Sequence, residues 1–255
     1  FQEYVGINQD KFYNNEKNNE LTEGDGYYVI EDFISLDDIR NLVDDLLLIE
    51  KDQSNSDKIF PDNSEFGQVR SPFLYSEFIR KLLCSDLIIN LIKNHLVGNG
   101  ICHLLNGQII RSSSIHHQSL WHRDFNKVHL SKPIMSFNVL FMLGEYLDIN
   151  DFSSLQKSHN FAIIPGSQLL YNLPSETLLR KKKIVSTSPG SLLIFNSQLW
   201  HKVLTNKNDQ MFLNMMFTEP FIKQQINLLG STKEWINKYS DIDSNCLLYT
   251  SPSPR

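Results

Sequence analysis

The feature that most constrains the fold is a change of hydrophobic period near residue 101. Before it, apolar residues recur at helical spacing, with Ser35 placed as an N-cap and Asp38 three residues later, and a pair of amphipathic helices is predicted over 76–96. After it, short runs rich in β-branched and aromatic residues alternate with turn signals. These predicted strands cover 102–111, 119–122, 135–144, 162–165, 191–196 and 211–217. Helices followed by a run of strands predict an α+β fold, with a double-stranded β-helix (jelly roll) core and N-terminal and flanking helices.

One domain is expected to account for most of the chain. Residues 1–20 are rich in Asn, Glu and Lys and are predicted to form a loose N-terminal segment. The jelly-roll domain is expected over 21–240. It opens with a strand over 27–33, contains a polar, irregular excursion over 51–70 and ends with a helix over 231–239. Residues 241–255 change composition abruptly, so they are expected to be a disordered or non-native tail.

Charge and cysteine usage argue against several classes of function. The 255 residues carry a formal net charge of -5, which disfavours binding to nucleic acids, because their phosphates need clustered Lys and Arg. No apolar stretch approaches the roughly 18 residues needed to span a bilayer. The 3 cysteines, Cys84, Cys102 and Cys246, form no C-x-x-C pair and favour a reducing, cytoplasmic location. Neither a nucleic acid nor a membrane span is therefore expected, and the sequence gives no indication of the oligomeric state.

Two histidines and one aspartate are spaced as ligands of a single metal ion. His122 and Asp124 are separated by one residue, so on an extended segment both side chains point the same way. His201 ends a predicted strand far downstream. Two imidazoles and a carboxylate form the facial triad of non-haem iron(II) oxygenases, which leaves coordination positions for co-substrate and oxygen. Zinc is less favoured, because structural zinc sites usually include thiolates and no cysteine is near these residues in the sequence. His122, Asp124 and His201 are therefore predicted to bind Fe(II) and to form the catalytic centre.

Four stretches resemble the phytanoyl-CoA dioxygenase family. They are the entry at 24–35 (GDGYYVIEDFIS), the proximal metal motif at 120–125 (LWHRDF), the strand at 161–167 (FAIIPGS) and the strand at 189–201 that delivers the distal histidine (PGSLLIFNSQLWH). After the third stretch, Gln168 stands where the family has a histidine. The resemblance implies a jelly-roll core that binds Fe(II), uses 2-oxoglutarate as co-substrate and O2, and hydroxylates an unactivated C–H bond. Related halogenases lose the metal-binding carboxylate, so the presence of Asp124 favours hydroxylation.

The resemblance breaks at the residue expected to bind the second carboxylate of 2-oxoglutarate. The family usually has an arginine eleven residues after the distal histidine, and that position is Phe212. Strand alternation places Gln210, Phe212 and Asn214 on one face. Three explanations stay open. Another cation, Arg111 or Lys207, replaces the arginine; Gln210 and Asn214 bind the carboxylate without charge; or the chain uses a different keto acid, or binds metal without turnover.

Further polar residues lie on the predicted core strands. Asn106, Gln108 and Asn138 are candidates for contact with the co-substrate. Trp121 and Trp200, each directly before a metal-binding histidine, are expected to point away from the metal and to pack in the core.

The predicted function is that of an iron(II)/2-oxoglutarate-dependent dioxygenase that hydroxylates a small-molecule or lipid-like substrate. Two alternatives remain. One is a catalytically silent metal-binding member of the same fold, because of Phe212. The other is a cupin-like isomerase or sugar-binding protein that uses the same barrel.

Overall fold

The computed structural model describes residues 19–54, 67–97, 100–112, 116–125, 134–171, 174–204 and 207–224. The α-helices of these residues are α1 (Leu36–Ser54), α2 (Glu77–Leu83), α3 (Asp86–His95) and α4 (Glu176–Leu179). The strands are β1 (Tyr27–Ile30), β2 (Gln68–Arg70), β3 (Ile101–Ile110), β4 (Ser136–Tyr146), β5 (Leu155–Gln156), β6 (Ser158–Ile163), β7 (Lys183–Thr187), β8 (Leu192–Asn196), β9 (His201–Val203) and β10 (Asp209–Thr218). Short 3₁₀ turns join several of these elements.

The strands form two antiparallel sheets that pack face to face. The larger sheet has the order β1-β8-β4-β10-β3-β2, with β5 paired to β4, and the smaller has the order β7-β6-β9. Phe195 and Phe212 from the larger sheet meet Phe161 and Val203 from the smaller in one buried apolar cluster. Neighbouring strands are mostly distant in sequence, as the connections of a jelly roll require. The predicted α+β fold with a jelly-roll core is therefore confirmed.

Helices α1, α2 and α3 cover the other face of the larger sheet. Alternation along β10 directs Met211, Leu213 and Met215 into a second apolar cluster, which also contains Leu42 and Leu46 of α1. The larger sheet is thus buried on both faces. Its outer face packs against the helices, and its inner face lines the interior of the barrel.

Serines cap the N-termini of α1, α2 and α3, and the sequence predicted the first of them, Ser35. The Ser35 hydroxyl accepts a hydrogen bond from the Asp38 N–H at 3.1 Å and donates one to the Asp38 carboxylate at 2.8 Å. The helix pair predicted over 76–96 is confirmed as α2 and α3, which are capped by Ser76 and Ser85. In the described part of the chain, every helix is too short or too polar to cross a bilayer.

The structure corrects several predicted elements. Residues 119–122 do not form a strand: a 3₁₀ turn spans His117–Ser119 and is capped by His116, whose Nδ1 accepts a hydrogen bond from the Gln118 N–H at 3.2 Å. β6 ends at Ile163 rather than at 165, because Pro165 has no N–H with which to continue the ladder. Residues 51–70 are not irregular throughout, since α1 continues to Ser54 and β2 begins at Gln68.

Other predictions fall outside the described residues. These are most of the loose segment at 1–20, the helix at 231–239 and the tail at 241–255.

Candidate metal centre

The predicted ligand triad is brought together at one end of the barrel. His122 and His201 form a backbone bridge, in which the His122 N–H donates to the His201 carbonyl at 3.0 Å and the reverse bond measures 3.1 Å. The two imidazole ring centres are 4.2 Å apart as a result. Asp124 Oδ1 lies 3.4 Å from His122 Nε2 and 3.6 Å from His201 Nε2. These ligand atoms all lie within 4.8 Å of one another, so the three side chains can share one ion.

Hydrogen bonds to the backbone fix which nitrogen of each imidazole faces the centre. His122 Nδ1 lies 2.7 Å from the Leu120 carbonyl, and His201 Nδ1 lies 2.9 Å from the Leu199 carbonyl. Each Nδ1 therefore carries the proton, and each Nε2 presents its lone pair, as in metal-binding histidines. His122 Nε2 is buried and has no hydrogen-bond partner among the described residues. A divalent cation bound there would satisfy it.

The charges of the triad also suit a cation. Burial alone would raise the pKa of Asp124, but the charges of His201 and His122 and a hydrogen bond from Asn138 hold that pKa below its usual value. Burial lowers the pKa of His201 to about 4, and the neighbouring His122 adds to the effect. Burial also opposes a charge on His122, yet the carboxylate of Asp124, 3.4 Å from its Nε2, raises the pKa of His122 overall. The centre therefore holds a carboxylate and a neutral His201, two of the ligand forms that metal binding requires.

Aromatic rings shield the His201 side of the centre. The Phe161 ring stacks on His201 with centroids 5.3 Å apart, and the Phe195 ring lies at 4.8 Å in a tilted arrangement. Both rings belong to the apolar cluster between the sheets. Water is thus excluded from this side, which strengthens electrostatic interactions at the centre.

A buried amide connects the triad to the inner face of the larger sheet. Asn138 Nδ2 donates to Asp124 Oδ2 and to Asn214 Oδ1, each at 2.9 Å. The Ser197 hydroxyl donates to Asn138 Oδ1 at 2.5 Å and so fixes the orientation of the amide. The structure thereby places Asn138, a candidate from the sequence, against Asp124 of the candidate triad, and places Asn214, another candidate, against Asn138. Ser197 was not anticipated; its signal in the sequence is a hydroxyl residue directly after β8 and four residues before His201.

The remaining candidates are distributed differently. Gln108 lies directly opposite Phe212 on the inner face, with its Oε1 buried and unpaired within the described residues. Gln210 is on the same face, but its amide donates to the Leu204 carbonyl at 2.9 Å. Arg111 is not brought to the centre: its guanidinium binds both carboxylate oxygens of Glu50 on α1, each at 2.6 Å.

The other basic and aromatic candidates lie outside the centre. Lys207 is exposed in the turn before β10. Trp121 and Trp200 lie under the side chains of Lys202 and Arg123, at 5.4 and 4.8 Å from cation to ring centre.

Comparisons with known proteins support the fold. No family model matches the chain. Two uncharacterised mycobacterial proteins, Mb1539 of Mycobacterium bovis and Rv1501 of Mycobacterium tuberculosis, are each 26% identical over 208 residues, covering 74% of this chain and 73% of theirs.

Solved structures with the same fold include EctD from S. alaskensis, crystallised with 2-oxoglutarate and 5-hydroxyectoine. It has a TM-score of 0.64 and 18% identity, over 82% of this chain and 77% of EctD. AviO1 from Streptomyces viridochromogenes has a TM-score of 0.57 and 16% identity, over 82% of this chain and 97% of AviO1. SnoN, a non-haem α-ketoglutarate-dependent epimerase from nogalamycin biosynthesis, has a TM-score of 0.56 and 12% identity, over 81% of this chain and 83% of SnoN. At these identities the likeness establishes a shared fold.

Proposed function

We propose that this protein is an iron(II)- and 2-oxoglutarate-dependent oxygenase that hydroxylates a small-molecule or lipid-like substrate. The observation that carries the proposal is the convergence of His122 Nε2, His201 Nε2 and Asp124 Oδ1 within 4.8 Å of one another. Two imidazole nitrogens and one carboxylate form the facial ligand set of non-haem iron(II) oxygenases. Cysteine is absent from this cluster among the described residues, which speaks against a structural zinc site.

The comparisons support the same reading. An EctD structure contains bound Fe and another contains 2-oxoglutarate, and SnoN depends on α-ketoglutarate. Within the iron oxygenases we assign the chain to the phytanoyl-CoA dioxygenase type, on the four stretches of sequence that resemble that family. The cysteine usage supports a cytoplasmic location, with O2 and a small molecule as the reaction partners.

The residues around the triad have distinct tasks in such an enzyme. Bound iron(II) and 2-oxoglutarate would supply the electrons that activate O2 as the oxidant. The backbone carbonyls of Leu120 and Leu199 hold the proton on each Nδ1, so that both Nε2 atoms stay available. The hydrogen bond from Asn138 orients the Asp124 carboxylate and, together with the larger effect of His201, favours its ionised form. Phe161 and Phe195 keep water away from His201, which protects reactive species from side reactions.

Metal binding and co-substrate turnover test the proposal together. Purified protein should bind close to one equivalent of Fe(II) under anaerobic conditions and should form succinate from 2-oxoglutarate when O2 is admitted. His122→Ala and His201→Ala should each lose the metal, because two ligands hold a divalent ion much more weakly than three. Lys202→Ala, next to His201 but stacked on Trp121, should retain it.

The outcomes separate the competing functions. If His201→Ala still binds one equivalent of Fe(II), the triad assignment is wrong. Bound iron without any succinate at millimolar 2-oxoglutarate would favour the catalytically silent alternative, for which Phe212 is the structural argument. Catalytic activity or sugar binding that persists under anaerobic conditions would favour the isomerase or sugar-binding alternative.

A further inference from the structure

The larger sheet carries one strongly basic side chain on its described strands. Arg70, at the end of β2, is the only Lys or Arg on the described strands of this sheet, which are β1, β2, β3, β4, β5, β8 and β10. β2 is an edge strand of only 3 residues, which is too short for a hydrophobic period to predict it from the sequence.

The strand register places Arg70 on the inner face of the sheet. Arg70 lies directly opposite Asn106 on β3, and Asn106 lies directly opposite Asn214 on β10. Residues that face each other in an antiparallel pair project to the same side. Val69, by contrast, lies on the helix side, where it meets Gly107 and Leu46. Arg70 therefore shares a face with Asn214, which is hydrogen-bonded to Asn138 beside the metal ligands.

A side chain of α1 fixes the backbone of Arg70 in this orientation. Gln53 is buried, and its Oε1 accepts a hydrogen bond from the Arg70 N–H at 2.9 Å while its Nε2 donates to the Arg70 carbonyl at 2.8 Å. Both backbone groups of Arg70 are thus turned away from β3. Arg70 and Asn106 form a non-hydrogen-bonded pair, the kind in which the two side chains lie closest.

Asn106 leaves an unused donor next to Arg70. Its Oδ1 accepts from the Ser71 N–H at 3.4 Å, while its Nδ2 is buried without a partner among the described residues. A carboxylate bound beside Arg70 would accept hydrogen bonds from the guanidinium and from this amide. Phe212, where the resemblance predicted the arginine, lies one row away, opposite Gln108, and packs in the apolar cluster instead.

We propose that Arg70, assisted by Asn106, binds the distal carboxylate of the 2-oxo acid co-substrate and so replaces the arginine missing at Phe212. The assignment rests on the proposed function and specifies a dicarboxylic 2-oxo acid. Neighbouring strands lie about 4.8 Å apart, so the Arg70 backbone is roughly 10 Å from that of Asn214 across β3. A long arginine side chain and an extended dicarboxylate together span such a distance. The guanidinium can bind the carboxylate through two parallel hydrogen bonds.

The test compares two keto acids on the metal-loaded protein. Protein with Mn(II) is titrated calorimetrically with 2-oxoglutarate and with 2-oxopentanoate, which has a methyl group in place of the distal carboxylate. Arg70→Gln should weaken 2-oxoglutarate binding by about 10- to 150-fold, the effect of losing a charge-assisted hydrogen bond. It should leave the affinities for Mn(II) and for 2-oxopentanoate unchanged, a pattern that general damage to the fold would not produce.

Two further variants complete the design. Arg111→Gln is the control: it removes the arginine that directly follows β3 and binds Glu50, and it should leave 2-oxoglutarate binding unchanged. Arg70→Lys retains the positive charge and should bind 2-oxoglutarate more tightly than Arg70→Gln. Unchanged 2-oxoglutarate affinity in Arg70→Gln would overturn the role of Arg70 and leave the proposed function intact. Failure of the wild-type protein to bind 2-oxoglutarate, with metal bound, would instead refute the co-substrate of the proposed function, and Arg70 with it.

Discussion

Asn138 is buried on β4 and donates a hydrogen bond to Asp124, one of the candidate metal ligands, without being a candidate ligand itself. Its single amide nitrogen serves both Asp124 and Asn214. Hydrogen bonds of this kind orient the ligating carboxylate and favour its charged form, which is the form that binds a cation. The affinity for metal should therefore depend on a residue that never contacts the ion.

Asn138→Leu tests this dependence, because leucine has a similar volume and offers no donor. We expect the affinity for Fe(II) or Mn(II) to fall by about 10- to 100-fold, measured by anaerobic competition titration against a chelator. Ser197→Ala is the matched control: it removes only the hydroxyl that donates to Asn138 Oδ1, and a smaller loss is expected. Equal metal affinities in wild type and Asn138→Leu would show that metal binding does not depend on the hydrogen bond from Asn138 to Asp124.

The convergence of the three candidate ligands could be predicted from the sequence, even though one predicted element was wrong. Alternation requires only that residues 122–124 be locally extended, and the bridge between His122 and His201 provides this without a strand at 119–122. Arg70 and Ser197 could not be predicted in the same way. The positions of Arg70 opposite Asn106 and of Ser197 beside Asn138 follow from strand register and turn geometry, which bring together residues that are distant in the sequence.

At the scale of elements, β2 depends on α1 as well as on β3. A three-residue edge strand exposes N–H and C=O groups on its free side, and these are costly to leave unpaired when buried. Gln53, in the last turn of α1, binds both such groups of Arg70. The helix thereby fixes the strand that carries the proposed anion-binding residue.

Gln53→Leu should lower the free energy of unfolding by about 1–3 kcal/mol, because two hydrogen bonds are lost and their backbone partners stay buried. Chemical denaturation measures this change, and hydrogen exchange of the β2 amides should accelerate. Lys51→Leu, exposed in the same part of α1, is the control and should have little effect. If the two variants have equal stabilities, the hydrogen bonds of Gln53 contribute nothing to holding β2.

At the scale of the whole molecule, the change of period near residue 101 was enough to predict the layers. Apolar residues of β10 alternate between the helices and the barrel interior, so the sheet must be covered on both faces. The smaller sheet was predicted poorly, since β7 and β9 are short and their partners are set by connections across the barrel. The set of residues that line the candidate site therefore depends on which strands become neighbours, and the sequence pattern only weakly constrains the strand order.

The packing of α3 against the larger sheet makes the stability of the whole molecule dependent on pH. His95, in the last turn of α3, lies against Phe137 of β4, and its Nε2 is 2.8 Å from the Tyr28 hydroxyl of β1. Burial lowers the pKa of His95 from 6.5 to about 4. Its Nδ1 has no hydrogen-bond partner among the described residues, so a proton added there would bury an uncompensated charge.

The direction of the pH effect follows from this lowered pKa. The unfolded chain takes up the His95 proton near pH 6.5, whereas the folded protein takes it up only near pH 4. The stability due to neutral His95 is thus fully present above pH 6.5 and is lost as the pH falls toward 4, by about 3 kcal/mol in total.

His95→Gln keeps a group that can bond to the Tyr28 hydroxyl but cannot be protonated, so its unfolding free energy should fall less steeply over this range. Denaturant titrations at a series of pH values measure both slopes, with the exposed His117→Gln as control. Parallel profiles for wild type and His95→Gln would mean that the histidine is already solvated in the fold, and that α3 does not seal this edge of the core.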